Sequence, residues 1–405
     1  MKFVPLKNVL TFIRGVTFKP DDLLEQGDKD SIACLRTKNI QKELDLTDVM
    51  LIPTNIIEKN DTKILQKSDI LISSANSWQL VGKCVRVPEL PFPATLGGFI
   101  SNLRAKPEVV NANYLYHWLV SPNIQHKIRH LGRQTTNISN LDRVRFLELK
   151  IPLPPLETQK QIAQVLETAD QLRKDCQQVE QELNALAQSV FLEMFGDPVI
   201  NPKGWKEQNF SGLIHGFKYG SSVKSGDQGT PILRIPNVTG GKISLSDLKH
   251  VLLSKNELEK NTLINGDILF VRTNGNRAYI GRSAVFDLKG IFVYASYLIR
   301  ARVNEKLVTP YFITALLRTN SGREMLMKQA KTTAGQFNIN TQGLGNLKIY
   351  IPPLSLQKRF ESIFLLIEKQ KDENRGKLKQ FDDLFNALLQ KAFKGELDLK
   401  SSEQV

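Results

Sequence analysis

Residues 156–195 read LETQKQIAQVLETADQLRKDCQQVEQELNALAQSVFLEMF, preceded by Leu153-Pro154-Pro155 and followed by Gly196-Asp197-Pro198. Ile162, Val165, Ala169, Leu172, Cys176, Val179, Leu183, Leu186 and Val190 follow one another at alternating steps of three and four. A period of 3.5 predicts a long helix with a left-handed coiled-coil seam. The two prolines stop a helix arriving from the N-terminal side, since proline lacks the amide donor and fixes φ. Gly196, with Pro198 behind it, ends the helix. At about 1.5 Å per residue such a helix is roughly 60 Å long. A single apolar strip along it needs a partner helix to leave water.

The same chain supplies that partner. Ile349-Tyr350-Ile351-Pro352-Pro353-Leu354 restates Ile151-Pro152-Leu153-Pro154-Pro155-Leu156 at an offset of 198, and Gln159-Lys160 returns as Gln357-Lys358. The second seam opens with Phe360, Ile363 and Ile367 and passes through Gln370 and Asn374. Towards its end the offset is 202: Asn184-Ala185-Leu186 matches Asn386-Ala387-Leu388, and the seam runs Leu378, Phe381, Phe385, Leu388 and Ala392. Four extra residues near the middle predict a stutter, with Gln370, Asn374 and Gly376 as its weakest part.

The globular segments repeat as well. Leu35-Arg36, Asn39-Ile40, Asp69-Ile70-Leu71-Ile72, Asn76, Phe99 and Arg104 match Leu233-Arg234, Asn237-Val238, Asp267-Ile268-Leu269-Phe270, Asn274, Tyr297 and Arg302, all at 198. Asn137-Ile138 also matches Asn338-Ile339, at 201. The chain is a tandem duplication, lobe–helix–lobe–helix. If each lobe's two ends lie close together, the second helix runs back along the first. The predicted fold class is α+β: two pseudo-symmetric mixed α/β domains separated by a long antiparallel two-helix coiled coil. The expected boundaries are 1–152 and 199–350 for these two domains, 153–198 and 351–397 for the spacer helices, and 398–405 for a tail.

Charge gives the lobes their expected partner. The net charge is +14. Residues 1–150 carry +6 and residues 198–350 carry +12, whereas residues 151–197 carry −5 and residues 351–405 carry +1. Positive charge confined to two lobes predicts two polyanion-binding modules joined by a neutral-to-acidic spacer. There is no signal peptide or long apolar run, and Cys34, Cys84 and Cys176 are scattered, so a cytoplasmic chain with reduced thiols and no membrane span is expected. His126 and His130 stand four apart without a third ligand, so no metal is expected.

Reading bases needs bidentate donors and acceptors on loops, and holding phosphates needs Lys, Arg, Ser and Thr. Three loops per lobe have that composition. In the first they supply Arg36, Lys38 and Asn39; Ser74, Asn76 and Gln79; and Arg133, Gln134 and Thr135. In the second they supply Arg234 and Asn237; Arg272, Asn274, Asn276 and Arg277; and Lys331, Thr332 and Gln336. One frame carrying different polar loops predicts two readers of different sequences. No catalytic motif accompanies them. The prolines lie in no Asn/Asp-Pro-Pro-aromatic tetrapeptide, and neither GxxxxGK[ST] nor HExxH occurs. The competing readings are a self-sufficient DNA methyltransferase or nuclease, and a coiled-coil protein adaptor without DNA binding.

The duplicated Pro-Pro-Leu-x-x-Gln-Lys openings, the two long helices and Met194-Phe195-Gly196-Asp197-Pro198 resemble the specificity subunit of type I restriction–modification systems over nearly the whole chain. The resemblance implies that each lobe reads one half of a split, asymmetric target in double-stranded DNA. It also implies that the helices set the gap and dock two modification (methyltransferase) subunits, with restriction/translocase subunits joining them. The chain itself is then expected to bind no cofactor, its partners using S-adenosylmethionine, ATP and Mg.

Overall fold

The computed structural model describes residues 2–25, 27–57, 62–134, 138–333 and 335–399, with the backbone alone at 133, 134 and 333. The chain divides into two units, Met1–Cys176 with Lys377–Val405, and Gln177–Gly376. Both divisions fall inside long helices, Leu156–Phe195 and Leu354–Lys394, so each unit holds one lobe and one end of each helix.

The two lobes match strand for strand. The first has an antiparallel sheet ordered Leu10–Arg14, Ile100–Ala105, Ile70–Ser73, Cys84–Arg86; the second has Ile214–Tyr219, Leu298–Val303, Ile268–Val271, Ser283–Val285 in the same order. The Ile70–Ser73 and Ile268–Val271 strands are buried at every position, which is why apolar residues follow one another in them, with Ser73 the single polar member, rather than alternating. A second sheet in each lobe places one strand between an antiparallel and a parallel neighbour, Ser31–Leu35 in the first and Thr230–Leu233 in the second.

An ion pair on a buried carboxylate anchors each frame. Arg104 Nε and Nη2 donate to Asp69 at 2.8 and 2.7 Å, and Arg302 Nε and Nη2 donate to Asp267 at 2.8 Å each. Asp69 and Asp267 are buried, so each carboxylate depends on its arginine for charge compensation. Asp267→Ala leaves one-third-exposed Arg302 without its partner and the Ile264 amide without its acceptor, and is expected to cost about 2 kcal/mol. The check is a lower urea midpoint at unchanged denaturant slope.

A duplicated glutamine ties each long helix to its lobe. Gln159 Oε1 accepts from Asn111 N at 2.9 Å, and its Nε2 donates to Pro154 O and Val109 O. Gln357 Oε1 accepts from Thr309 N at 2.9 Å, and its Nε2 donates to Pro352 O and Leu307 O. Both side chains are buried and fully paired, so the first turn of each helix is fixed against the loop that caps a lobe helix.

Inside each unit the helices run antiparallel. In the first, Ile162, Leu166 and Ala169 share a core with Phe385, Leu389 and Ala392, and Arg173 Nε donates to Asp382 Oδ1 at 2.6 Å. In the second, Arg375 donates to Glu180 Oε1 and the Phe191 and Phe360 rings sit 5.4 Å apart. The first helix ends at Gly196, which takes φ +83° and donates its N–H to Leu192 O at 2.8 Å.

The expected seam is corrected at alternate positions. Ile162, Ala169, Cys176 and Leu183 face inward, but Leu172, Val179 and Leu186 are 38%, 39% and 48% exposed. The inward line passes one residue later, through Leu166, Arg173, Glu180, Ala187 and Phe191, with Val165 half-buried at its edge. Apolar periodicity misses this line because two of its members are charged and pair across the helices. On the second helix the line is Phe360, Phe364, Ile367, Lys371, Asn374, Leu378, Phe381, Phe385, Leu389 and Ala392, with Ile363 and Leu388 half-buried beside it. It keeps heptad steps through its middle, so no stutter is present there; Asn374 is buried, and buried Lys371, paired with Glu368 at 2.7 Å, takes the inward place expected for Gln370, which is exposed. The four-residue excess is largely offset because this helix stops at Lys394, before Leu397, the counterpart of Phe195.

In the first unit a polar cluster joins lobe and helix. Arg86 donates to Glu167 and, at 2.9 Å, to Asn113 Oδ1; buried His117 places Nε2 3.5 Å from Glu167 Oε1. His117 and then Arg86 hold the Glu167 carboxyl at about 2, against an ordinary 4.5 and despite burial. A depressed carboxyl contributes stability that is complete above the unfolded value and fades as pH falls towards the folded one. Between pH 4.5 and 2, Glu167→Gln is therefore expected to flatten the acid limb of the stability curve, read by urea melts at stepped pH.

Candidate nucleic-acid interface

A third, three-stranded sheet in each lobe gathers the polar loops. In the first lobe it is Gly132–Gln134, Ser139–Leu141, Ala75–Asn76; in the second it is Lys331–Thr333, Gln336–Asn338, Thr273–Asn274. Ala75 pairs with Asn140 and Thr273 with Asn338, so the lobes align here at 198. The structural counterpart of Asn338-Ile339 is thus Asn140-Leu141, and the Asn137-Ile138 match at 201 is a coincidence of sequence. Two loops far apart in each lobe's sequence become neighbours on one small sheet.

Among the residues expected to read DNA, Gln79, Asn276, Arg277, Lys331, Thr332 and Gln336 are exposed. Ser74, Asn76, Arg272 and Asn274 are half-buried and partly engaged. Asn76 Oδ1 accepts from Ser77 N, Asn274 Oδ1 accepts from Asn276 N, and the Arg272 guanidinium lies 4.7 Å from the Tyr219 ring centroid. Thr273 Oγ1 donates to Gln336 Oε1 at 3.1 Å, which links the two loops of the second lobe. Arg133 and Gln134 are placed as backbone in a strand, and Thr135 lies outside the described residues.

Asn39 and Asn237 are corrected outright. Each is buried; Oδ1 accepts from the backbone N–H of Arg36 or Arg234, and Nδ2 donates to two carbonyls, Asp45 and Asp48 or Ser244 and Ser246. Their amides are used up in holding a loop and offer no edge to a base. Arg36 and Arg234 are tethered to Asp48 and Asp247 at 2.9 and 2.7 Å, and Lys38 also pairs with Asp48. The repeated Arg-x-x-Asn is a loop brace, and only the outer part of each arginine faces solvent.

Sequence reasoning passed over Arg282 and Arg323. Arg282 Nε and Arg323 Nη2 donate to Ala278 O at 3.0 and 3.1 Å, so two further cations brace the Arg277 loop. Lys224 lies on a serine-rich segment, Ser221–Ser225, that lines a cleft with Arg234 and Tyr297. Its first-lobe counterpart was hidden because the offset grows to 205 there: Ser221 bridges Ala295 as Val16 bridges Gly97. Among the described residues no group of three His, Cys, Asp or Glu is placed to hold a metal, and no helix is long and apolar enough to cross a membrane.

Two lobes of one plan, each offering a small polar sheet on a basic body and joined by paired helices, define a bipartite DNA-recognition protein. A family profile described as the type I restriction modification DNA specificity domain matches residues 1–185 and again 202–381, and the chain belongs to that family. It is 29% identical over 416 residues to the EcoKI specificity subunit of Escherichia coli K12 and 29% over 412 residues to the StySPI specificity subunit of Salmonella potsdam. Each match covers 97% of this chain and 88% of the relative. In fold it is similar to the S subunit of the type I system of M. genitalium, with a TM-score of 0.56, 14% identity, and 97% of this chain and 96% of that one covered. A chain from a structural study of type I system assembly and conformational transition gives a TM-score of 0.54 at 17% identity, with 98% of each covered.

Proposed function

We propose that each lobe reads one half of a split DNA target, the first lobe one half and the second the other. The long helices set the gap between the halves and seat two modification subunits, which bring S-adenosylmethionine and methylate adenine. Restriction subunits add the ATP- and Mg-dependent steps. This chain supplies recognition and assembly, without a catalytic group or cofactor of its own. The observation that supports this reading best is the polar three-stranded sheet repeated in both lobes. The same backbone frame presents Gln79 in one copy and Asn276, Arg277 and Gln336 in the other.

The full chain, assembled with its modification subunits, is expected to bind a duplex carrying the genomic methylation motif in preference to a scrambled one. The affinity should fall steeply with salt. Six phosphate contacts correspond to about a thousandfold loss between 50 and 200 mM. Binding indifferent to salt, or absent, would leave a protein adaptor. Calorimetric binding of S-adenosylmethionine by the isolated chain would restore the self-sufficient methyltransferase.

A further inference from the structure

The geometry points to Phe99 and Tyr297 as the apolar groove contacts of the two lobes, each ring packing against deoxyribose and base edges of its own half-site. This rests on the DNA-reading function proposed above. Phe99 is 64% exposed and Tyr297 58%. A single exposed ring needs no explanation. These two occupy the same place in the duplicated frame, 198 residues apart. They are the one such pair among the exposed large apolar side chains described in the lobes.

The turn that carries each ring is bonded to the candidate reading loops on both sides. Gly97 N donates to Leu35 O at 2.9 Å, next to the Arg36 loop, and Ser74 N donates to Phe99 O at 2.9 Å. In the second lobe Ala295 N donates to Leu233 O, next to Arg234, and Arg272 N donates to Tyr297 O, both at 2.9 Å. Within the turn Ile100 N donates to Gly97 O and Leu298 N to Ala295 O, again at 2.9 Å. Each ring therefore stands on a braced turn between two polar loops, and ordering it on a ligand costs little beyond its own side-chain torsions.

The backbone is crowded to keep that turn in place. A Cβ on Gly15 would lie 2.2 Å from Gly97 O, and one on Gly220 would lie 2.2 Å from Tyr294 O. The same close approach occurs in both lobes although the local offset there is 205. An apolar side chain amid hydrogen-bonding and cationic groups suits the groove of a duplex, where it meets sugar, thymine methyl or an opened base step while its neighbours take phosphates and base edges.

The test uses the full chain assembled with its modification subunits and a fluorescein-labelled duplex carrying the methylation motif. Phe99→Ala and Tyr297→Ala are each expected to weaken binding about tenfold. The slope of log affinity against log salt should stay unchanged, because an apolar contact releases no counterions. Phe99→Tyr should restore most of the loss. Lys331→Ala, in contrast, should reduce that slope. Unchanged affinity in both ring variants, with Lys331→Ala still altering the slope, would overturn the groove contact and leave DNA reading intact. Loss of the modification subunits on gel filtration of the ring variants would also overturn it, making the rings a protein-docking surface. A wild-type complex that binds no DNA removes both readings together.

Discussion

Replacing residues 272–277 with the matching loop of another family member is expected to change one half of the methylated target and leave the other half as it was. The segment is suited to exchange because its ends are held by backbone. Arg272 N donates to Tyr297 O, Ile339 N donates to Arg272 O, and Gly281 N donates to Val271 O. Between those anchors Asn276 and Arg277 are exposed, and a different loop can sit on the same frame. One bidentate side chain–base pair discriminates by about 1–3 kcal/mol. Exchanging two such side chains should shift preference between old and new half-sites by about a hundredfold or more. Methylome sequencing of cells carrying either version reads both halves at once. An unaltered motif would place recognition outside this loop, and a change in both halves would sink the one-lobe, one-half assignment. Arg277→Ala is the smaller version, expected to relax one position without moving the gap.

What the sequence made legible was whatever the duplication repeats. Asp69 with Arg104 and Asp267 with Arg302 are visible as matched letters, and the structure makes each pair an ion bridge on a buried carboxylate. Gln159 and Gln357 were visible in the same way, although nothing in their spacing announces the three hydrogen bonds each makes. Repetition shows that a residue matters to the frame; it does not separate framing from reading. Asn39 and Asn237 have the right chemistry for adenine and recur in both lobes, yet they recur because the frame needs them. The exposed reading candidates are the ones that differ, such as Gln79 against Arg277. Phe99 and Tyr297 differ in type while sharing a place, and composition rules tuned to polar readers pass over them.

The helix seam failed in part for a related reason. Counting apolar residues selects Leu172, Val179 and Leu186, because Arg173 and Glu180 look like surface charges. The structure turns those charges inward, where they meet Asp382 and Arg375. Charged inward positions are less stabilising than leucine, since desolvation offsets much of the ion-pair attraction. They specify register more sharply, because a slip by one turn separates each charge from its partner.

That register makes the spacing testable by subtraction. Removing residues 176–182 together with 373–379 takes one heptad from each helix and takes Glu180 and Arg375 out as a pair, while Lys369, which loses Glu373, stands exposed to solvent. Lys174 with Glu43 and Lys242 with Asp372 are retained, so the bonds from helix to lobe stay in both units. A heptad is close to two whole turns and leaves the inward line displaced by only about 20°. At about 1.5 Å per residue each helix shortens by roughly 10 Å, the rise of about three base pairs. The variant is expected to methylate the same two half-sites across a gap shorter by about two to three base pairs. Three base pairs also turn one half-site about the duplex axis by roughly 100°, given 10 to 10.5 base pairs per turn. The helices supply little of that rotation, so the new target should be bound more weakly than the old one was, with the DNA or the complex twisting to make up the difference. A variant that folds, methylates and keeps the original gap would show that the modification subunits, rather than these helices, set the distance.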